Sequence, residues 1–101
     1  VVFNNGVLGM VRQWQTLFYN QHYSNTDLQE RQSDFAKIAE AFGIPGFKIH
    51  TLDELSEQVA KAMAKSGPVL IDVTIDPDEF VLPMLPPGGS MDDIITLREE
   101  I

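Results

Sequence analysis

The sequence predicts an α/β fold, a three-layer arrangement in which a parallel sheet is flanked by helices. Short β-branched or aromatic runs at Val1–Phe3, Phe47–His50 and Val69–Ile75 alternate with segments of helical period. The last run, VLIDVTI, is nearly continuous in aliphatic residues, which suits a strand covered on both faces. Helices between successive strands imply parallel pairing with right-handed crossovers.

Val1 to Phe3 reads as the end of a buried strand, and Asn4-Asn5-Gly6 supplies turn chemistry after it. A helix is predicted from about Leu8 to Tyr19, because Met10, Trp14, Leu17 and Phe18 fall on one face of the 3.6 period. Asn20 to Gln32 is polar and reads as a mobile loop. A loop of that length is uncommon in a compact domain and is often functional.

Ser33 is the expected cap of the next helix, with Asp34 in its first turn. Phe35, Ile38, Ala39 and Phe42 form its predicted apolar stripe; Gly43 ends it and Pro45 prevents its resumption. Thr51-Leu52-Asp53-Glu54 matches a capping box. Leu52, Leu55, Val59, Ala62 and Met63 then share one face, and Lys61 and Lys65 suit the C-terminal end of the dipole. Gly67-Pro68 closes that helix, and Asp76-Pro77-Asp78 turns the chain after the last strand.

Residues 80–90, FVLPMLPPGGS, contain too many prolines and glycines for a regular element. They are also too apolar for a free linker, so this tail is expected to pack over another surface. Met91 to Ile101 is predicted as a short final helix with Ser90 as cap and Asp92-Asp93 in its first turn. Two regions result: 1–79 as the sheet-and-helix body and 80–101 as a C-terminal tail. Opening directly on Val1-Val2-Phe3, the chain is expected to be part of a longer polypeptide.

The net charge of −8 argues against phosphate-backbone binding and against adsorption on anionic membranes. Without cysteine there is no disulfide framework and no thiolate metal site. No apolar run approaches the ~20 residues of a membrane span. His22 and His50 lack a serine–carboxylate arrangement and read as structural or solvated. Asp72 interrupts a buried strand and is either hydrogen-bonded to a neighbouring turn or turned to solvent. Asp92, Asp93, Glu99 and Glu100 read as a solvated face.

Asn4-Asn5-Gly6 stands at the carboxyl end of a strand, where parallel sheets bind ligands. The following helix would offer unpaired first-turn amides, and Gly9 would let an anion approach them. A diphosphate with magnesium fits this chemistry, since asparagine supplies a neutral carbonyl oxygen. A plain turn is the competing reading.

The stretch FNNGVLGMVRQWQTLFYNQHYS, continued by SDFAKIAEAFGIPGFKI and GPVLIDVTIDPDEFVLPMLPPGGSMDDII, resembles the large catalytic subunit family of acetolactate synthase, also called acetohydroxyacid synthase. The combination of NNG-x-LGMVRQWQ-x-LFY with VLPM-x-PPG is specific, and the likeness covers essentially the whole chain. It implies the C-terminal part of a thiamine-diphosphate-binding domain. It also implies a carboligase that decarboxylates pyruvate and joins the two-carbon unit to a second 2-oxoacid, pyruvate or 2-oxobutyrate, in branched-chain amino-acid synthesis.

By this resemblance, the Asn5 side chain and the main-chain oxygen of Val7 are magnesium ligands. Val7, Gly9 and Met10 contact the cofactor, and Met10, Val11 and Trp14 line the substrate channel. The bland alternative makes Met10 and Trp14 plain core residues. The family's cofactor motif opens with Gly-Asp-Gly, and only its closing Asn4-Asn5 is present here. Residues 1–101 alone are therefore expected to bind cofactor poorly and to be inactive.

The family's catalytic glutamate belongs to another domain, so no catalytic residue is assigned within this chain. FAD is held elsewhere in the family. The tail from Phe80 resembles the family's C-terminal segment, which can fold over the active site. The resemblance further implies a cytoplasmic homo-oligomer, with a regulatory small subunit among its partners and with neither nucleic acid nor membrane. Two other readings remain open. One is a different thiamine-diphosphate carboligase, such as a glyoxylate carboligase or a sulfoacetaldehyde acetyltransferase. The other is a non-catalytic interaction module of the same fold.

Overall fold

The computed structural model describes residues 1–31 and 33–96. Two compact units emerge: Val1–Val7 with Leu28–Pro77, and Leu8–Asp27 with the segment from Asp78 onward.

The first unit holds β1 (Val2–Asn4), α2 (Phe35–Ala41), β2 (Gly46–Ile49), α3 (Leu52–Met63) and β3 (Leu70–Thr74); the intervening α1 (Gly9–Phe18) belongs to the second unit. The sheet is parallel throughout, with β3 between β1 and β2. The register pairs Val2 with Asp72 and Gly46 with Leu70. Side chains alternate across a strand, so Phe47, Ile49, Ile71 and Val73 point one way and Gly46, Leu70 and Asp72 the other.

Ile49, Ala62 and Ile71 form the buried cluster on the first face, packed around by Phe47, Val59, Val69 and Val73. Helix α3 therefore covers that face. A Cβ built on Gly46 would point at Ala36, so α2 covers the opposite one. This is the predicted three-layer arrangement. As expected for a central strand, β3 buries both Ile71 and Asp72.

The helix faces depart from the predicted stripes. Helix α2 buries Ala36 and Ala39, while Ile38 and Phe42 are exposed, Phe42 by 80%. The reason is the close approach at Gly46: an added Cβ would lie 2.5 Å from the Ala36 carbonyl oxygen. With the two backbones that near, only small side chains fit between them.

On α3, Val59 and Ala62 face the cluster, but Leu52 and Met63 are exposed. A helix of 12 residues is about 18 Å long against about 13 Å for the four residues of β2, so its ends overhang the sheet. Strand β1 is likewise less buried than its composition suggests. It pairs only with β3 among the described residues, and Val1 and Phe3 are exposed.

Helix boundaries follow local chemistry. The capping box at Thr51 and Glu54 is formed as predicted. Helix α2 ends in a Schellman motif, with Gly43 N–H donating to Glu40 O and Ile44 N–H to Ala39 O, both at 2.9 Å, and with Gly43 at a φ of 75°.

Its start corrects the expectation for Ser33. The cap is Asp34, whose Oδ1 accepts from Lys37 N–H at 3.1 Å. Its Oδ2 accepts from Lys48 Nζ at 2.6 Å, so one carboxylate ties the helix start to β2. The Lys48 bond first, then the Lys37 amide, hold the Asp34 pKa below the ordinary carboxylate value. A depressed folded-state pKa means the carboxylate stabilises the fold above its unfolded-state pKa. That contribution is lost as pH falls through the folded-state value. Asp34→Asn keeps a good capping residue and removes the titration. Melting midpoints measured from about pH 5 down to about pH 3 should therefore fall more for the wild type than for the variant.

In the second unit α1 runs from Gly9 to Phe18, close to prediction. The polar stretch after it is more tied down than a mobile loop. Thr26 is buried, its carbonyl accepts from Leu8 N–H at 2.8 Å, and its hydroxyl donates to Gln15 Oε1 at 3.1 Å. Gln29–Arg31, in the first unit, forms a 3-10 turn.

Of the predicted final helix, the described residues form the 3-10 turn Met91–Asp93, capped by Ser90. The chain then extends, and Ile95 pairs antiparallel with Met84. Residues 97–101 of that predicted helix lie outside the described residues.

Candidate functional site

In the first unit, strand β1 delivers Asn4 and Asn5 to the carboxyl edge of the sheet. The strand ends because each asparagine side chain captures a backbone amide two residues ahead. Gly6 N–H donates to Asn4 Oδ1 and Val7 N–H to Asn5 Oδ1, both at 3.2 Å. These are two consecutive Asx turns. Outer hydrogen bonds fix their position: Ile75 N–H donates to Asn4 O at 3.0 Å and Leu28 N–H to Gly6 O at 2.9 Å.

Asn4 Nδ2 reaches Asp72 Oδ2 at 3.5 Å, a long contact within this unit. Asp72 is 8% exposed, and its Oδ1 is buried without a hydrogen-bond partner. Of the two readings of Asp72, a carboxylate beside a neighbouring turn is therefore the observed one.

A cavity of about 510 Å³ opens here, lined among others by Asn4, Asn5, Gly6, His50, Asp72 and Thr74. These are residues at or near the carboxyl ends of all three strands, where open α/β sheets hold ligands. His50 Nδ1 and the Thr74 hydroxyl lie 2.9 Å apart on the rim. His50 N–H donates to Glu54 Oε2 at 2.8 Å, and this bond is the first cause of a Glu54 pKa below the ordinary range.

The Asn5 turn brings together the two positions expected to hold magnesium. Asn5 Oδ1 keeps a second lone pair after accepting from Val7. With the Val7 carbonyl it makes a pair of neutral hard-oxygen donors, the chemistry magnesium prefers. The fit is partial. Among the described residues no cluster of three metal-ligating His, Cys, Asp or Glu side chains exists, so a magnesium ion here would need further ligands and compensating charge from other groups.

In the second unit α1 begins at Gly9 with Leu8 as its N-cap residue, and no side chain caps it. Its first-turn amides are therefore not satisfied by a capping oxygen. The helix carries Met10, Val11 and Trp14 on one side of a cavity of about 640 Å³, together with Gln15, Phe18 and Tyr19. Met10 and Val11 are half-exposed rather than packed as core. Trp14 is held edge-on against Phe18, with centroids 5.8 Å apart.

Sequence reasoning passed over the two residues between Val11 and Trp14. Arg12 Nε donates to Asp78 Oδ1 at 2.9 Å, and its guanidinium lies 4.1 Å over the Tyr23 ring. The Asp78 bond is the first cause of its raised pKa. Gln13 is only 2% exposed and bonds to the backbone of Val81. A glutamine between Arg12 and Trp14 gives no local sign of burial; the signal is the apolar Val81–Met84 stretch far downstream that needs a partner.

A parallel sheet flanked by helices, with an Asn-Asn turn at its carboxyl edge, defines an α/β domain of the class that takes ligands at its strand ends. Residues 1–73 match the family described as "Thiamine pyrophosphate enzyme, C-terminal TPP binding domain". The chain belongs to that family.

It is 44% identical over 94 residues to the probable acetolactate synthase large subunit of Methanocaldococcus jannaschii, covering 93% of this chain and 16% of the relative. It is 38% identical over 101 residues to the mitochondrial acetolactate synthase catalytic subunit of Saccharomyces cerevisiae, covering 100% of this chain and 14% of that relative. Identity to the acetolactate synthase of Mycobacterium leprae is 43% over 101 residues, covering 96% of this chain and 16% of the relative. The chain thus spans about a sixth of the length of the curated relatives it matches. No helix among the described residues is long and apolar enough to cross a membrane.

Proposed function

We propose that this chain serves an acetolactate synthase, a thiamine-diphosphate-dependent carboligase acting on pyruvate and a second 2-oxoacid. The Asn5–Val7 turn supports the reading, because its hydrogen bond fixes Asn5 Oδ1 at the carboxyl edge of a parallel sheet, two residues before the Val7 carbonyl. Asn5 and the Val7 carbonyl would hold magnesium. Val7 and the first-turn amides of α1 at Gly9 and Met10 would bind the cofactor, with the amides taking its diphosphate. Bound thiamine diphosphate would supply the nucleophilic carbon and the electron sink for loss of carbon dioxide.

The chain's own contribution is binding and selection. Trp14, backed by Phe18, offers a flat apolar wall that gains contact from one extra methylene, as in 2-oxobutyrate against pyruvate. The proposal extends to a homo-oligomer working in the cytoplasm in branched-chain amino-acid synthesis, with FAD bound outside this chain and a small subunit regulating it.

The test is acetolactate formation by the intact gene product from pyruvate with thiamine diphosphate and magnesium. A preparation that consumes no pyruvate overturns the proposal, and a strong preference for glyoxylate would favour a different carboligase. In the same assay Trp14→Leu should lower the preference for 2-oxobutyrate over pyruvate by about fivefold, the equivalent of ~1 kcal/mol of methylene contact. An unchanged product ratio would return Trp14 to a plain packing role.

A further inference from the structure

Gln13 sits about 130° around α1 from the middle of the face that lines the cavity, so it does not belong to the substrate wall itself. Its amide is fully engaged elsewhere. Nε2 donates to the Val81 carbonyl at 3.1 Å, Oε1 accepts from Val81 N–H at 2.8 Å, and Nε2 also contacts Met84 Sδ at 3.0 Å. A side-chain amide pairs here with a peptide as one strand pairs with another. The Val81 side chain is exposed, so the clamp reads backbone rather than side-chain identity.

Two further contacts extend the attachment. Arg12, the preceding residue, is bonded to Asp78, and Met84 is bonded through both its N–H and its carbonyl to Ile95. The 78 end of the 78–84 stretch is thereby held to α1 and its 84 end is braced within the tail by Ile95, while Gln13 fastens the middle to α1.

We propose that Gln13 is a positioning residue: by clamping the Val81 peptide it fixes α1 to the tail, and so fixes the wall formed by Met10, Val11 and Trp14. The wall lies on one side of the helix and the clamp on another, so a helix free to roll would blunt the discrimination of a methylene. The selectivity half of this inference rests on the carboligase reading above; the clamp itself does not.

The experiment uses the intact gene product and two readouts. Hydrogen exchange followed by mass spectrometry on the segment containing residues 80–85 reports the clamp directly. In the wild type the Val81 amide should exchange at least about tenfold slower than in an unstructured peptide, since an intramolecular bond replaces water. Gln13→Met keeps length and volume but removes both bonds; protection should fall about tenfold. Competition between pyruvate and 2-oxobutyrate should show a parallel, several-fold loss of preference for 2-oxobutyrate. Val81→Ala, which leaves the peptide intact, should keep wild-type exchange.

Absent protection in the wild type overturns the clamp even if the glutamine variant fails to fold. So does exchange in Val81→Ala as fast as in Gln13→Met. Lost protection with an unchanged product ratio overturns the positioning role. If the wild type forms no acetohydroxyacid, the carboligase reading and the selectivity half both fall, while the exchange data still decide the clamp.

Discussion

Asn5→Ala in the intact gene product is expected to raise the magnesium concentration needed for half-maximal activity by about two orders of magnitude, the upper end of what losing a single metal-site partner costs in affinity. The substitution removes a proposed ligand oxygen and also the acceptor that closes the turn onto Val7 N–H, so the second proposed oxygen loses its fixed position. Asn4→Ala is the informative contrast. Its Oδ1 closes the preceding turn onto Gly6 and its Nδ2 faces Asp72, so it shapes the approach without being placed as a ligand. Its loss should shift the magnesium requirement less than that of Asn5. Asn5→Asp retains an oxygen donor and should keep measurable metal dependence. A magnesium titration by activity, paired with calorimetry of cofactor uptake, reads all three. A wild-type magnesium curve for Asn5→Ala would reduce Asn4-Asn5 to a bend that ends a strand.

What could be read from residues alone was whatever local chemistry decides. Thr51 with Glu54, Gly43 before Pro45, and the nearly continuous VLIDVTI run each set a boundary through groups a few residues apart, and each lies where expected. Readings failed where a distant backbone decided the outcome. The α2 stripe includes Phe42 by periodicity. The helix turns Ala36 inward beside the expected Ala39, because Gly46, in the strand that follows, brings its backbone against Ala36. Ser33 and Asp34 are equally good caps on paper, and Lys48 supplies the second contact that accompanies Asp34.

Within the described residues the predicted final helix keeps its cap and one turn, and beyond that turn Ile95 pairs with Met84 instead. For the site, position was legible and role was not. Asn4-Asn5 at a strand end is ordinary turn chemistry, and only resemblance to a family turns it into a cation site. Gln13 was invisible because its partner is a peptide far along the chain, and peptides leave no mark in a sequence.

Gly46→Val is expected to be the most destabilising single change in the sheet-and-helix unit, by about 3 kcal/mol or more. The cost is space rather than conformation. A Cβ at this position would lie 2.5 Å from Ala36 O, 2.7 Å from Ala36 Cα and 2.9 Å from Ala36 C, and all three are atoms of a helix backbone that cannot swing aside. Relief requires α2 to lift off β2 as a body, which would uncover Ala39 and pull Asp34 away from Lys48. Because the clash is with main chain, trimming the opposite side chain by Ala36→Gly should not rescue it, whereas a side-chain clash would be rescued. Gly43→Ala sets the scale: nothing lies within 4 Å of its added Cβ, and its φ of 75° alone should cost about 1 kcal/mol. Urea or thermal midpoints of the four proteins, Ala36→Gly/Gly46→Val included, decide the matter. Rescue by Ala36→Gly, or a Gly46→Val midpoint no lower than that of Gly43→Ala, would mean that α2 does not rest backbone to backbone on the sheet. The alanine stripe would then need another explanation.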